Sequence, residues 1–412
     1  MSRFRAEDQA TDKPPAREEV PPDVSPDERG LQEPSDDNAA GIEEPDTADL
    51  EEPGRLLGVG RRQLIIYGVV VGAFVIGLYV ALPAALDGLS ETRDVIADAD
   101  PWWIAIALGF NVCSFFAYVA LFRGVVGGSD EGSVVSRRLD WAASYQITMA
   151  GLAATRLFSA GGAGGIALTY WAIRRAGMLR RDAACRMVAF LVLLYAVYMT
   201  TLLINGLLLR IGVFPGPSPV GMTIVPAAIA GVLIAIFLLV SLIPDDVERR
   251  LAGWSQGYRR RARWLRRLAT GPATVASGTR TAMQLVKNPS RGMLAIGGAV
   301  GFWAANIAVL WACFHAFGQP VSKAVLVQGF FVGMTANLLP FFPGGVGSVD
   351  AGMIGAFLAF GLPSSTVIVS VLVYRVLAFW LPLPPGIVAY IQLRRTVGRW
   401  RAEESAAAPA RL

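Results

Sequence analysis

The sequence predicts an all-α polytopic membrane protein, with about six full transmembrane helices and two re-entrant, Gly-rich helical hairpins related as an inverted pseudo-repeat. Three observations predict it. Of the 412 residues, 54% are hydrophobic, and the mean hydropathy of +0.47 is too high for a soluble chain of this size. Apolar runs of about 20 residues, the length that crosses about 30 Å of hydrocarbon, recur along the chain. Arginines crowd the segments between some runs and are sparse between others.

Residues 1–54 stand apart. They hold seventeen Asp/Glu against five Lys/Arg and show no apolar period, the composition of a disordered acidic tail. Their net charge of −12 leaves +17 for the remainder of a chain whose total is +5, and that excess favours contact with anionic headgroups. No short basic-then-apolar leader precedes the first run, which is expected to serve as the insertion signal. The transmembrane domain is then 55–400, with a basic loop at 245–291, and 401–412 form a C-terminal tail.

Full spans are expected at roughly 64–86, 102–122, 187–211, 220–243, 292–317 and 364–393, while the runs 139–173 and 324–361 are interrupted. Arg137 and Arg138 precede the run 139–173, and Arg174, Arg175, Arg180, Arg181 and Arg186 follow it. The loop 245–291 carries eleven Lys/Arg against three acids, and Arg394, Arg395, Arg399 and Arg401 follow the last run. Positive loops stay in the cytoplasm, so 139–173 must leave and return to the same side. Its thirty-five residues divide into two legs of about 20–25 Å each, short of the hydrocarbon thickness. A hairpin dipping in from the cytoplasm satisfies both conditions. The same reasoning makes 324–361 dip in from outside, and puts both termini in the cytoplasm of a multi-pass protein of the plasma (inner) membrane.

The two bends are alike. "RLFSAGGAGGIA" (156–167) and "LPFFPGGVGSVD" (339–350) each place a GG-x-G core three residues after an aromatic, Phe158 and Phe341. A backbone N–H released by Gly or Pro costs several kcal/mol in hydrocarbon unless protein, water or a ligand satisfies it, and inverted repeats put such broken helices, and the binding site, near the midplane. Gly161, Gly162, Gly164 and Gly165, with Arg156 just before them, suit the phosphate of an anionic phospholipid at a helix start. At the second bend Pro343, Gly344, Gly345, Gly347 and Ser348 lead to Asp350 in the first turn of the restarted helix. Asp350 reads either as a carboxylate that stabilises its helix start or as the partner of Arg375, which lies about 16 Å into the final span, where a lone charge is costly. A fixed Asp350–Arg375 pair without a transport role is the plainer reading of the two together. An arginine that also samples lipid phosphate is the sharper one.

Other chemistry is poorly supplied. Cys113, Cys185 and Cys313 are scattered and His315 is the single histidine, so neither a disulfide framework nor a metal site is expected. No nucleotide-binding loop and no nucleophile–base pair occur, and no cofactor or catalytic residue is assigned. The run "YRRRARWLRR" (258–267) reads as a helix on anionic lipid rather than a nucleic-acid patch.

The stretch "PGGVGSVD" (343–350), the Gly361-Leu362-Pro363 step, Tyr374-Arg375 and a proline-broken last helix together resemble the C-terminal signature of the lysylphosphatidylglycerol synthetase transmembrane region, or flippase-like (UPF0104) family. "RLFSAGGAGGIALTYWAIRRAG" resembles that family's earlier Gly-rich motif, and the resemblance covers about 60–400. It implies a lipid path between the two hairpins, since the membrane region of the multiple peptide resistance factors is associated with moving aminoacylated phosphatidylglycerol between leaflets. By position, Pro343, Gly344, Gly345, Gly347, Tyr374 and Arg375 match the pattern. Asp350 departs from it, where the family usually has Glu, and so does Ala163 to Ile166, where an acid often follows the glycines. These departures put the identity of the headgroup in question. Nineteen residues follow the last run, so aminoacylation by a soluble acyltransferase-like domain is not expected of this chain alone.

The leading expectation is a lipid translocase that moves or binds an anionic or aminoacylated phospholipid or a lipid-linked substrate, and that is not itself an enzyme. A membrane-embedded transferase acting on a lipid-linked donor and a non-transporting accessory subunit, with a lipid-modifying enzyme as partner, are the alternatives. No nucleic-acid partner is expected, and the oligomeric state is unassigned.

Overall fold

A computed structural model describes residues 99–127, 133–157, 163–241, 261–336, 345 and 347–407. The predicted acidic tail, the first apolar run and residues 242–260 of the basic loop region lie outside the described residues. Within them every regular element is helical. The helices are α1 (Pro101–Val126), α2 (Val134–Arg138), α3 (Trp141–Leu157), α4 (Ala163–Arg175), α5 (Arg180–Arg210), α6 (Val220–Ser241), α7 (Arg261–Lys287), α8 (Pro289–Ala316), α9 (Lys323–Thr335), α10 (Ser348–Ala359), α11 (Ser364–Arg375) and α12 (Leu383–Ala407).

Five helical stretches among the described residues are long and apolar enough to cross a membrane: Pro101–Val126, Arg180–Arg210, Val220–Val240, Gly292–Ala316 and Ser364–Ala406. They coincide with five of the six full spans read from the sequence. Local chemistry explains where they begin. Asp100 accepts a hydrogen bond from the Trp102 N–H at 2.9 Å, and Pro101 occupies the first helical position, where no N–H is needed. The last stretch continues as helix to Ala407, past the boundary drawn at residue 400.

The two interrupted runs each form a pair of short helices, of 17 and 13 residues in α3 and α4 and of 13 and 12 in α9 and α10. At 1.5 Å per residue each is about 18–26 Å long, less than the hydrocarbon thickness. Each pair folds back on itself where a glycine lets two backbones touch. A Cβ at Gly165 would stand 2.5 Å from the Gly151 carbonyl, and one at Gly333 would stand 2.6 Å from the Met353 Cα.

The hairpins open toward opposite ends of the long helix α5. At its start Arg186 donates to the Val125 and Val126 carbonyls at the end of α1, and the short loop after α4 leads straight into it. The α2 residue Arg138, just before α3, pairs with Glu404 and holds the Trp400 carbonyl at the end of α12. The base of the α3–α4 hairpin therefore lies at an arginine-rich end. At the other end of α5, Asn205 donates to the Ala324 carbonyl and to Gln328, and Leu209 packs with Val325 and Phe360. The base of the α9–α10 hairpin lies there. Between these ends Tyr198, Trp303, Phe330 and Phe331 form an aromatic core joining α5, α8 and α9.

Replacing Gly333 by Val is expected to force α9 and α10 apart and lower stability by about 1–3 kcal/mol. Gly355→Ala, in the same hairpin with open space around it, is expected to be neutral or to stabilise by up to about 1 kcal/mol. Thermal unfolding of the purified variants in detergent compares the two; equal stability would contradict the close-packed hairpin.

Candidate functional site

The end of α3 and the start of α10 both reach a fault in the last span. Between α11 and α12 the chain makes a π-helical turn, Val376–Trp380, in which the Leu381 N–H donates to the Val376 carbonyl at 3.0 Å. Prolines cause the change of register. Pro382 has no N–H for Ala378 at α spacing or for Leu377 at π spacing, and Pro384 has none for Phe379 at π spacing. The three carbonyls accept from other helices. Asn111 of α1 donates through Nδ2 to the Leu377 carbonyl at 2.8 Å. Arg156, in the last turn of α3, donates through Nη1 to the Phe379 carbonyl at 2.8 Å and through Nη2 to the Ala378 carbonyl at 3.0 Å.

The second hairpin arrives beside the same turn. Gly345 and Gly347 have φ of +69° and +81°, a region that favours glycine, and they turn the chain into α10. The Gly347 N–H donates to Asp350 Oδ2 at 2.7 Å, and Arg375 Nε donates to Asp350 Oδ1 at 2.7 Å. Both readings of Asp350 therefore hold at once. Arg375 Nη2 also reaches the Gly345 carbonyl at 3.3 Å, and the pair is buried, with Asp350 8% and Arg375 6% exposed. The Phe379 ring joins the two halves, its centroid 5.0 Å from the Arg156 guanidinium carbon and 4.7 Å from that of Arg375.

The other site residues read from the sequence are distributed differently. Arg156 reaches the final span. Gly164 and Gly165 lie in the first turn of α4, where Gly165 serves the packing against α3. The buried Tyr374 donates its hydroxyl to Asn306 Oδ1 at 3.4 Å and packs on Phe330. Ser348 starts α10, its buried Oγ without a hydrogen-bond partner. Gly161, Gly162, Pro343 and Gly344 lie outside the described residues. Asn111, Phe379 and the carbonyls at 377–379 were not read from the sequence, although "LPLPPG" (381–386) carries the signal, since its prolines cannot serve the turn before them.

Arg156, Asp350 and Arg375 are the charged side chains that the described contacts bring together at the π-helical turn, and the three carry one net positive charge. Arg375 is neutralised by Asp350. Arg156 is half-buried, and carbonyl dipoles and a ring face hold it without a carboxylate. Such a group can exchange its carbonyls for a phosphate, which a guanidinium meets with two parallel N–H donors. No group of three or more metal-ligating side chains exists among the described residues. His315 lies against Trp103 and Trp311 and its Nδ1 is 2.9 Å from the Trp311 carbonyl, a packed position near a helix end. A separate polar cavity of about 370 Å³ at the arginine-rich end is lined by Arg137, Arg138 and Arg399 together with Asp140 and Glu403.

Residues 65–386 match the family model described as the lysylphosphatidylglycerol synthase TM region, and the chain belongs to that family. A UPF0104 membrane protein of Methanothermobacter thermautotrophicus is 28% identical over 171 residues, 40% of this chain and 49% of that protein. A further match of that name in the same organism is 30% identical over 86 residues, 21% and 26% of the two chains. The inner membrane protein YbhN of Escherichia coli K12 is 27% identical over 105 residues, 26% and 32% of the two chains. The chain thus spans about half the length of the first of these relatives and less of the others.

Asp350→Asn is expected to strand the Arg375 charge and to destabilise by about 3–5 kcal/mol, the effect of breaking a buried pair from one side. Adding Arg375→Gln should recover a large part of that loss. Detergent melting curves of the single and double variants test it, and a double variant less stable than Asp350→Asn alone would contradict the pairing.

Proposed function

We propose that the chain is a translocase that moves a phospholipid or lipid-linked substrate, anionic or aminoacylated, between the leaflets of the plasma (inner) membrane. The observation that carries this reading is the net positive charge at the meeting point of two hairpins whose bases lie at opposite ends of the molecule. A short helical hairpin in lipid must return to the side it came from, so the α3–α4 pair is re-entrant from the arginine-rich side and the α9–α10 pair from the other. The positive-inside rule makes the arginine-rich side cytoplasmic. With a sixth span at 64–86, both termini are cytoplasmic too. The name of the family, which concerns lysylphosphatidylglycerol, supports a phospholipid as the cargo.

In this reading a headgroup phosphate entering from either leaflet finds Arg156 at the end of its path. The guanidinium leaves the Ala378 and Phe379 carbonyls for the phosphate oxygens, a stronger charge-assisted pairing. The acyl chains remain in hydrocarbon while the charged head crosses inside the protein, which removes the larger part of the barrier that bare lipid presents to it.

Reconstituted protein should exchange labelled phosphatidylglycerol between leaflets faster than empty vesicles, and Arg156→Ala should lower that rate by about 10–100-fold, the equivalent of a lost charged hydrogen bond. Exchange no faster than in empty vesicles, across anionic and aminoacylated lipids alike, would sink the proposal. Cysteine labelling in intact cells tests the topology: residues 124–138 and 175–186 should both be shielded from an impermeant reagent, and modification of one but not the other would exclude the re-entrant arrangement.

A further inference from the structure

We infer that the site selects by charge, accepting headgroups with a net negative charge and rejecting those in which an aminoacyl ammonium offsets the phosphate. The inference rests on the translocase reading and narrows it to one of its two classes of cargo.

The argument is an inventory of charge and hydrogen bonds. Two guanidinium groups face one Phe379 ring, and Asp350 is the carboxylate beside them. Both of its oxygens are engaged, Oδ1 by Arg375 Nε and Oδ2 by the Gly347 N–H. An ammonium brought to this point would have to displace Arg375 from Asp350 and leave a buried arginine uncompensated, while Arg156 repels it. A phosphate displaces only carbonyl acceptors from Arg156 and neutralises the remaining charge.

Among the described residues no other acid is placed to help. The neighbouring elements present Asn111 from α1, Asn306 and Tyr374 from α8 and α11, and Arg156 from α3, all of them neutral or cationic. The segments that join the two legs of each hairpin, 158–162 and 337–347, contain no Asp or Glu. A site for a doubly charged aminoacyl headgroup needs a carboxylate to spare, and these helices supply none.

The test measures retention and movement separately. Protein purified from mixed micelles of equimolar phosphatidylglycerol and lysyl-phosphatidylglycerol is analysed for bound lipid by mass spectrometry. Phosphatidylglycerol should be retained in excess of about tenfold. Arg156→Gln should bring the ratio close to one, Arg156→Lys should keep the preference, and Arg180→Gln, at the exposed arginine-rich end, should leave it unchanged. Equal or greater retention of the lysyl lipid by the unaltered protein overturns the inference, and so does a preference that survives Arg156→Gln. In liposomes, lysyl-phosphatidylglycerol exchanging as fast as phosphatidylglycerol would refute charge selection and leave the translocase reading standing. A preserved retention ratio with no exchange of either lipid would do the reverse.

Discussion

A carbonyl in an apolar interior must find a donor, and Pro382 and Pro384 remove donors from the turn that precedes them. Everything at the centre of this molecule follows from that deficit. Leu377 is served by Asn111 of α1, and Ala378 and Phe379 by Arg156 of α3. One faulty turn in the last span is thereby tied to two other helices, each more than two hundred residues away from it in sequence. An unsatisfied carbonyl at this depth would cost several kcal/mol, so the ties are strong although each is a hydrogen bond or two. Asn111 retains an unpartnered Oδ1 while being 1% exposed, so its placement is fixed by the demand at Leu377 and not by its own needs.

The two arginines are held in different ways, and the difference decides which of them is available. Arg375 and Asp350 largely cancel as charges, and removing either leaves the other stranded in a low-dielectric surround. The Gly347 N–H adds a second constraint on the same carboxylate. Arg156 meets only dipoles and a ring, so its charge stays uncompensated and its partners are replaceable. Among the described residues no acid neutralises Arg156, so the group that ties α3 to the π-helical turn also keeps its positive charge. Both arginines therefore hold the site together, and Arg156 alone leaves its charge for the proposed ligand to neutralise.

Much of this was legible in the sequence. Hydropathy predicted six full spans, five of which are long apolar helices among the described residues, and the two interrupted runs, read as re-entrant hairpins from the parity of basic loops, each hold a pair of short helices. The pairing of Asp350 with Arg375 followed from the cost of a lone central charge. The destination of Arg156 did not. Reading it with the glycines beside it assumed that a side chain serves its nearest bend, whereas the stronger demand came from carbonyls more than two hundred residues away. Tertiary partners of that kind leave no periodic signal. The packing role of Gly165 was hidden for a related reason: glycine followed by a helix is the pattern of an anion nest and equally that of two helices in contact, and the proximity of Gly151 shows the contact.

The same contacts assign the helices to two groups with a joint between them. Along its length α3 lies on α12, from Ala153 against Gly386, through Gln146 bonded to Thr396, to the pairing of Arg138 with Glu404. The α9–α10 hairpin is bound instead to α11, through Asp350 and Arg375, and to α5 through Asn205 and Gln328. The groups join covalently at the π-helical turn, where Pro382 and Pro384 leave backbone carbonyls to accept from other helices. Arg156 bridges that turn with two of its hydrogen bonds. A ligand that draws the guanidinium off the carbonyls therefore acts at the joint itself, so binding charge and loosening one hairpin from the other become a single event. Under the proposed translocase reading, that coupling would let one receptor face each leaflet in turn.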